Sequence, residues 1–358
     1  MTAFLHTIRI AFIGLGDRGR KALRLMLPLE GIEVTALCDL SDANIQEAKA
    51  IMTAMSASSR RAATDLTQVL CVSGKEAYKM ACRKDNVDLV YICSDWASHT
   101  PIALEAMRSG KHVAVEVPAA MTMEDIRLLI ATAEQTGRQC FMLENACFEH
   151  QVIKAIEAIH RGDIGEVVHA EGCYYHHLGN RWSPWRLDIN RQHRGDLYPT
   201  HELGPICQAL GIGIDDRLQT LVSMDSIAIT GPQTYEELMG KAAADFKNGD
   251  HTTTLIRTVR GRTILLKHDV LTEQPYERQF TFIGTRGRIE LHDTGRISHD
   301  AMTQAMNQHL VDSLRNGSAF CISIYDMATW CAAIPLSRES IARGFAPVNF
   351  PDFYTSVC

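Results

Sequence analysis

The sequence predicts an α/β protein in two parts: an N-terminal doubly wound parallel sheet, then an α+β domain with a mostly antiparallel sheet. Three observations carry this expectation. A glycine-punctuated strand, turn and helix opens the chain, and strand-like and helix-like runs alternate up to Asn145. From His251 onward the alternation gives way to a meander of short strands. A chain of 358 residues also exceeds what one hydrophobic core comfortably serves. The expected boundary therefore divides it into 1–145 and 146–358.

The first strand is the apolar run Ile8 to Ile13, which flows into Gly14-Leu15-Gly16-Asp17-Arg18-Gly19 and a helical-looking stretch from Arg20 to Leu29. In this context G-x-G-x-x-G carries a mechanism. The first glycine permits the turn, the second lets backbone approach a pyrophosphate, and the third lets helix pack on strand. A second strand, Glu33 to Asp39, ends in an acid 20 residues after Gly19. A carboxylate there accepts hydrogen bonds from ribose hydroxyls and repels a 2′-phosphate, so the expected cofactor is NAD rather than NADP. Leu89–Cys93 then reads as a strand and Pro101–Ser109 as a helix closed by Gly110. His112–Val115 reads as a strand, Met123–Thr136 as a helix closed by Gly137, and Cys140–Leu143 as a strand. Ligand groups gather at the carboxyl ends of such strands. Ser94, Trp96, His99, Glu116, Glu144 and Asn145 follow them and join Gly14, Gly16, Asp17, Arg18, Gly19 and Asp39 on the cofactor rim. Trp96 also suits a core aromatic, and His99 a helix-start ring satisfied by backbone.

In the second part, Phe148–Arg161 is amphipathic and ends at Gly162, and Val167–Tyr175 reads as a strand. His251–Val259, Thr263–Val270, Arg278–Ile283 and Arg288–Leu291 form the meander, and Met302–Arg315 and Tyr325–Arg343 close the chain as helices. Ser56 to Arg61 is the one polar low-complexity stretch.

Composition narrows the function classes. With 46% hydrophobic and 22% charged residues the chain is ordinary globular material, and 36 basic against 42 acidic residues give a net charge of −6. The basic residues are dispersed, which argues against nucleic acid as a partner. No apolar run reaches bilayer length, and the start of the chain reads directly into a strand, so no membrane association is expected. Eleven cysteines without C-x-x-C, several in apolar runs, suit buried reduced thiols. That favours the cytoplasm, or export of the folded protein after loss of a leader not present in this chain. The C-terminal sheet is the expected surface for any homo-oligomer.

The densest chemistry lies in Arg194-Gly195-Asp196-Leu197-Tyr198-Pro199-Thr200-His201-Glu202-Leu203-Gly204-Pro205. Pro199 keeps its predecessor out of helix and favours a helix from Thr200 through Leu210, which aims Tyr198 and His201 at a common space. Both are acid/base side chains. A buried helix start whose hydroxyl and ring nitrogen are satisfied by backbone would use the same residues. Upstream, Tyr174 to Arg186 reads as a loop rich in His, Trp and Arg. Its tryptophans suit sugar faces or a plain hydrophobic plug, and its arginines suit oxygen ligands. His176 and His177 raise a metal, but adjacent histidines point apart and no carboxylate completes a ligand set, so no metal is expected.

Two domains of this kind resemble the glucose-fructose oxidoreductase and inositol dehydrogenase superfamily over nearly the whole chain. Those dehydrogenases carry Glu-Lys-Pro after the fifth strand, where this chain has Glu116-Val117-Pro118. A valine cannot relay a hydroxyl proton. Val115 to Ala120, Glu144-Asn145 and Gly195 to Pro205 together resemble glycoside hydrolase family 109, the NAD-dependent α-N-acetylgalactosaminidases. The resemblance implies a redox-assisted glycosidase for a small-molecule glycoside: oxidation at C3, elimination of the C1 substituent, water addition and re-reduction. It implies Tyr198 and His201 as proton-transfer residues, with Tyr174 and His176 beside them. Glu144, Arg186, Tyr198 and Tyr276 would bind the sugar, and Glu116, Val117 and Asn145 the nicotinamide half. Two residues depart from the family pattern: Glu202 stands where that pattern has glycine, and Asp17 where it is apolar. An NAD-dependent sugar or cyclitol dehydrogenase and a non-catalytic cofactor-binding protein are the competing classes.

Overall fold

The computed structural model describes residues 6–58, 65–295 and 298–355; positions 59–61 of the polar stretch lie outside them. The chain divides into two compact units. The first begins with β1 (Ile8–Ile13), α1 (Asp17–Met26), β2 (Ile32–Asp39), α2 (Asp42–Ser58), β3 (Leu70–Ser73) and α3 (Tyr78–Arg83). It continues with β4 (Leu89–Ile92), α4 (Trp96–Arg108), β5 (His112–Val115), α5 (Met123–Thr136) and β6 (Cys140–Met142). The six strands are parallel in the order β3-β2-β1-β4-β5-β6. Helices cover a doubly wound sheet on both faces, and its strands accordingly read as unbroken apolar runs. Every residue of β4 and β5 is buried, and Phe12 of β1 stacks on Tyr91 of β4 with ring centroids 5.0 Å apart.

Two helix boundaries differ from expectation for local reasons. α1 begins at Asp17, inside the glycine motif, and ends at Met26. α4 begins at Trp96, because the Asp95 side chain accepts from Ser98 N and caps it. Pro101 then sits inside that helix, where it removes a single backbone bond without ending it.

The second unit contains α6 (His150–His160), β7 (Val167–Tyr175), α7 (Pro184–Gln192), α8 (Thr200–Ala209), β8 (Leu218–Asp225) and α9 (Thr230–Met239). β9 (Thr252–Thr258), β10 (Thr263–Asp269), β11 (Glu277–Gly284) and β12 (Gly287–Asp293) follow. The rest of the chain is α10 (His299–Asn316), α11 (Ile324–Ala342) and β13 (Val348–Asn349). The second sheet runs β12-β11-β7-β10-β9-β8-β13, and every pair but β7–β10 is antiparallel. α7 replaces the end of the expected loop: Pro184 takes a first helical position behind Ser183.

α8 is buried along almost its whole length, and glycines make that possible. A Cβ on Gly172 of β7 would lie 2.9 Å from Glu202 Cβ, and one on Gly204 would lie 2.9 Å from the Trp330 ring. Helix and sheet therefore meet at a distance that only a hydrogen side chain permits.

The units are not two consecutive stretches. The first comprises 1–120, 124–143 and 300–327; the second takes 121–123, 144–299 and 328–358. This grouping differs from a single cut at 145 in placing most of α10 with the first unit. The reason is packing: Met302, Met306, Leu310 and Val311 are buried, and the Tyr91 hydroxyl donates to Asn307 Oδ1 at 3.0 Å. Tyr91→Phe is expected to lower the stability of the first unit by about 1–3 kcal/mol, since it strands a buried amide oxygen. Urea unfolding followed by circular dichroism would measure it.

Candidate active site

In the first unit the three motif glycines occupy three different situations. Gly14 has φ +86°, and a Cβ there would fall 2.5 Å from Ser94 N. A Cβ on Gly19 would fall 1.9 Å from the Gly14 carbonyl oxygen. Around Gly16 nothing lies within 4 Å, and as N-cap of α1 it offers no side-chain bond to the helix. Gly14 and Gly19 are thus required by the protein's own packing, whereas Gly16 leaves open space at a helix N-terminus suited to a phosphate. The residues present fit a dinucleotide.

The surrounding residues are held as follows. Asp39 Oδ2 accepts from Leu15 N at 2.5 Å, while Oδ1 accepts from Ser41 N and Asn44 Nδ2. The Asp17 carboxylate is fully exposed and pairs with Arg20, so toward a phosphate this residue offers its backbone N–H. Arg18 and Glu116 form an ion pair at 2.7 Å. Ser94 Oγ accepts from Ser98 Oγ at 2.7 Å, Trp96 is buried, and Val117 is buried at the cis Val117–Pro118 bond. His99 differs from the expected rim contact. It is buried with Nδ1 2.9 Å from Pro118 O and Nε2 3.1 Å from Ser94 O, and burial lowers its pKa. The ring is a tether between two backbone segments.

In the second unit, strand register sets a row across three strands. Tyr174 of β7 lies opposite His268 of β10 and Arg278 of β11. Tyr174 stacks on His268 at 6.2 Å and meets His201 edge-on at 5.1 Å. Tyr198 stands edge-on to His201 at 4.8 Å, and Tyr276 edge-on to His176 at 5.2 Å. The Tyr174 hydroxyl is 2.6 Å from His176 Nδ1. The structure thus gathers Tyr174, His176, Tyr198, His201 and Tyr276. Arg186, on α7 with its guanidinium 4.9 Å from the Trp185 ring, lies close enough for its charge to act on Tyr174 and His176. Burial pushes the Tyr174 phenol well above its ordinary range. Burial, then the charge of Arg181, brings His176 down to about 4, so its ring is neutral.

Glu144, expected at the sugar, bonds within the chain through one oxygen. It is fully buried, and its Oε1 accepts from Ala146 N at 3.0 Å and from His201 Nδ1 at 2.5 Å. Burial alone would raise its pKa, but the charge and hydrogen bond of His201 outweigh that and hold it below the ordinary value. An ionised Glu144 accepts the hydrogen bond from Nδ1–H, which turns Nε2 of His201 toward the cluster. Asn145 is buried, with Nδ2 3.2 Å from His299 Nε2.

Glu202 does not stand beside the reacting groups as bulk. It is fully buried where α8 crosses Gly172, and neither oxygen makes a well-formed hydrogen bond. Burial, then the Asp196 charge, raises its pKa well above the ordinary value. Asp196 is also buried; it accepts from Tyr198 N at 3.1 Å and lies 3.7 Å from His268 Nδ1. Sequence reasoning missed His268, although its two-residue alternation with Ile264 and Leu266 marks it as core-facing. Among the described residues no cluster of three His, Cys, Asp or Glu could hold a metal ion.

Two family models match the chain. Residues 8–144 match the oxidoreductase family described as an NAD-binding Rossmann fold. Residues 181–298 and 291–357 match the glycosyl hydrolase 109 C-terminal domain. Among solved structures, myo-inositol 2-dehydrogenase from Lactobacillus plantarum superposes with a TM-score of 0.76 at 15% identity, covering 96% of this chain and 100% of that one. Scyllo-inositol dehydrogenase from Lactobacillus casei, solved with NAD(H) and scyllo-inositol, gives 0.74 at 16% identity, covering 96% and 99%. The class is therefore an NAD-binding protein of the inositol dehydrogenase-like fold. A glycosyl hydrolase family 109 protein of Porphyromonas gingivalis is 37% identical over 99% of this chain and 86% of its own length. One from Bacteroides thetaiotaomicron is 36% identical with the same coverage. The chain belongs to glycosyl hydrolase family 109.

Two outcomes follow from the geometry. Gly16→Ala should leave the melting temperature near wild type and weaken NAD binding by calorimetry, whereas Gly19→Ala should cost about 3 kcal/mol of stability through overpacking. Glu202 gives a pH dependence. Held neutral in the folded state but ionising in the unfolded chain near about 4.3, it retains a proton that the unfolded chain loses. Stability from this group therefore declines as pH rises above the unfolded value. Glu202→Gln should lose less stability than wild type between about pH 5 and 8, read as melting temperature against pH.

Proposed function

We propose that the protein is an NAD-dependent glycosidase acting on α-N-acetylgalactosaminides through transient oxidation at C3. What carries this reading is the state of its carboxyl groups. Ordinary glycosidases need two carboxyls flanking the scissile bond, one of them a proton donor and the other facing the sugar or a water. Here Glu144, Glu202 and Asp196 are all buried, while the groups that cluster are phenols and imidazoles. That donor set suits removal of a carbon-bound proton better than direct attack at C1.

The chemistry that NAD contributes when bound is reversible removal of hydride from C3, which makes the C2 proton acidic. The chain's own tasks are to take the C2 proton, protonate the departing C1 oxygen, admit water and return the proton. Tyr198 and His201 carry these transfers, with His201 oriented by Glu144. Tyr174 donates a hydrogen bond to the sugar, and Arg186 and Tyr276 bind its oxygens. Gly14, Gly16 and Gly19 with the first turn of α1 take the pyrophosphate, Asp39 the adenosine ribose, and Glu116, Val117 and Asn145 the nicotinamide half. A dehydrogenase would need a relay in place of Val117. The buried thiols of Cys38, Cys82 and Cys173 support a reducing compartment, the cytoplasm.

Product formed in heavy water should carry deuterium at C2, with no net growth of NADH absorbance. Accumulating NADH would instead identify a dehydrogenase, and an unlabelled C2 a plain acid/base hydrolase. Tyr198→Phe and His201→Ala should each lower turnover by about 100-fold or more while NAD affinity stays near wild type.

A further inference from the structure

The two imidazoles of the cluster are held by opposite kinds of partner. His201 faces a carboxylate, whereas His176 faces a guanidinium: Arg181 NH2 lies 3.2 Å from His176 Nε2 and donates to His177 O at 2.9 Å. A second anchor is Arg181 Nε, which points at Leu178 O at 3.4 Å. The short 3-10 turn at Gly179–Arg181, closed by Arg181 N donating to Leu178 O, places the side chain there.

We propose that Arg181 is a positioning residue that locks His176 in its Nδ1–H form, so that the ring donates to the Tyr174 oxygen and the Tyr174 proton is left for the substrate. The proposal deepens the glycosidase reading and rests on it for the substrate. The logic is one of donor count. A guanidinium carries only donors, so Nε2 must accept. The two protons of that Arg181 nitrogen are divided between His177 O and His176 Nε2. A neutral imidazole that accepts at Nε2 carries its proton on Nδ1, and Nδ1 is 2.6 Å from the Tyr174 hydroxyl. The phenol oxygen receives that bond, so its own hydrogen turns away from His176. The depressed pKa of His176 keeps the ring neutral, and the raised pKa of Tyr174 keeps its proton in place. Without Arg181 the opposite tautomer becomes accessible. Tyr174 would then donate to Nδ1 and face the substrate with lone pairs only.

The test uses NAD-loaded protein labelled with ¹⁵N-histidine, with the His176 ring signals assigned by their loss in His176→Gln. Wild type should show a protonated Nδ1 and a bare Nε2. Arg181→Met should shift the pattern toward Nε2–H, and Arg181→Lys, which also offers only donors, should restore it. On an α-N-acetylgalactosaminide, kcat of Arg181→Met should fall about tenfold with KM much less affected, and the lysine variant should recover most of it. An Nε2–H ring in wild type, or an unchanged tautomer in Arg181→Met, would overturn the proposal. The ring signals report without turnover, so failure of the tautomer lock stays distinct from absence of glycosidase activity.

Discussion

The second unit depends on the bond between His201 Nδ1 and Glu144 Oε1, made in a dry interior. Burying a carboxylate is expensive unless a donor compensates it, and a hydrogen bond to a charged group contributes about 1.5–3 kcal/mol. Here the compensation comes from the His201 imidazole and the Ala146 N–H. The same requirement that keeps Glu144 tolerable fixes the ring of His201 and chooses the nitrogen that it turns toward the cluster. For the contact to form, α8 must lie hard against its neighbours. Gly172 and Gly204 provide that approach, since a methyl group at either position would collide with Glu202 or Trp330.

Burial also sorts the carboxyl groups into roles. Glu144 has a strong donor and stays ionised. Asp196 has a single backbone donor in Tyr198 N and a more distant His268, and burial drives its pKa up. Glu202, with no well-formed bond, is driven up further from the ordinary range. These three buried acids thus differ in the donors and charges that face them. None of the three is solvated, which is the ground on which the proposed function assigns proton transfer to phenols and imidazoles.

Much of the fold was legible in the sequence. Met123–Thr136 and Val167–Tyr175 fall where the pattern puts them, because Gly137 and the change of period mark their ends. The glycine loop was legible because Gly14 and Gly19 answer steric needs of the chain itself, while Gly16 leaves the helix N-terminus open. What escaped depends on tertiary direction. Pro101 hid the first turn of α4, since the Asp95 cap outweighs one lost backbone bond. The bond from Glu144 to His201 was not legible, because a strand end does not say whether its side chain turns outward or toward α8. α7 was read as loop because its Trp and Arg content masks the Ser-Pro start. The return of α10 to the first unit rests on contacts such as Tyr91 with Asn307, far apart in sequence.

The opposite dressing of the two histidines explains why the cluster contains both. A ring facing a carboxylate is a donor at that nitrogen and basic at the other, and a ring facing a guanidinium is an acceptor there and a donor at the other. His201 and His176 realise these two cases on either side of Tyr174. In the proposed reaction the first arrangement would take a proton, and the second would turn a phenol so that it can give one. A buried carboxylate and an exposed guanidinium thus give two imidazoles of one cluster opposite hydrogen-bonding roles, which under the proposed function would suit one to accept a proton and the other to orient a donor.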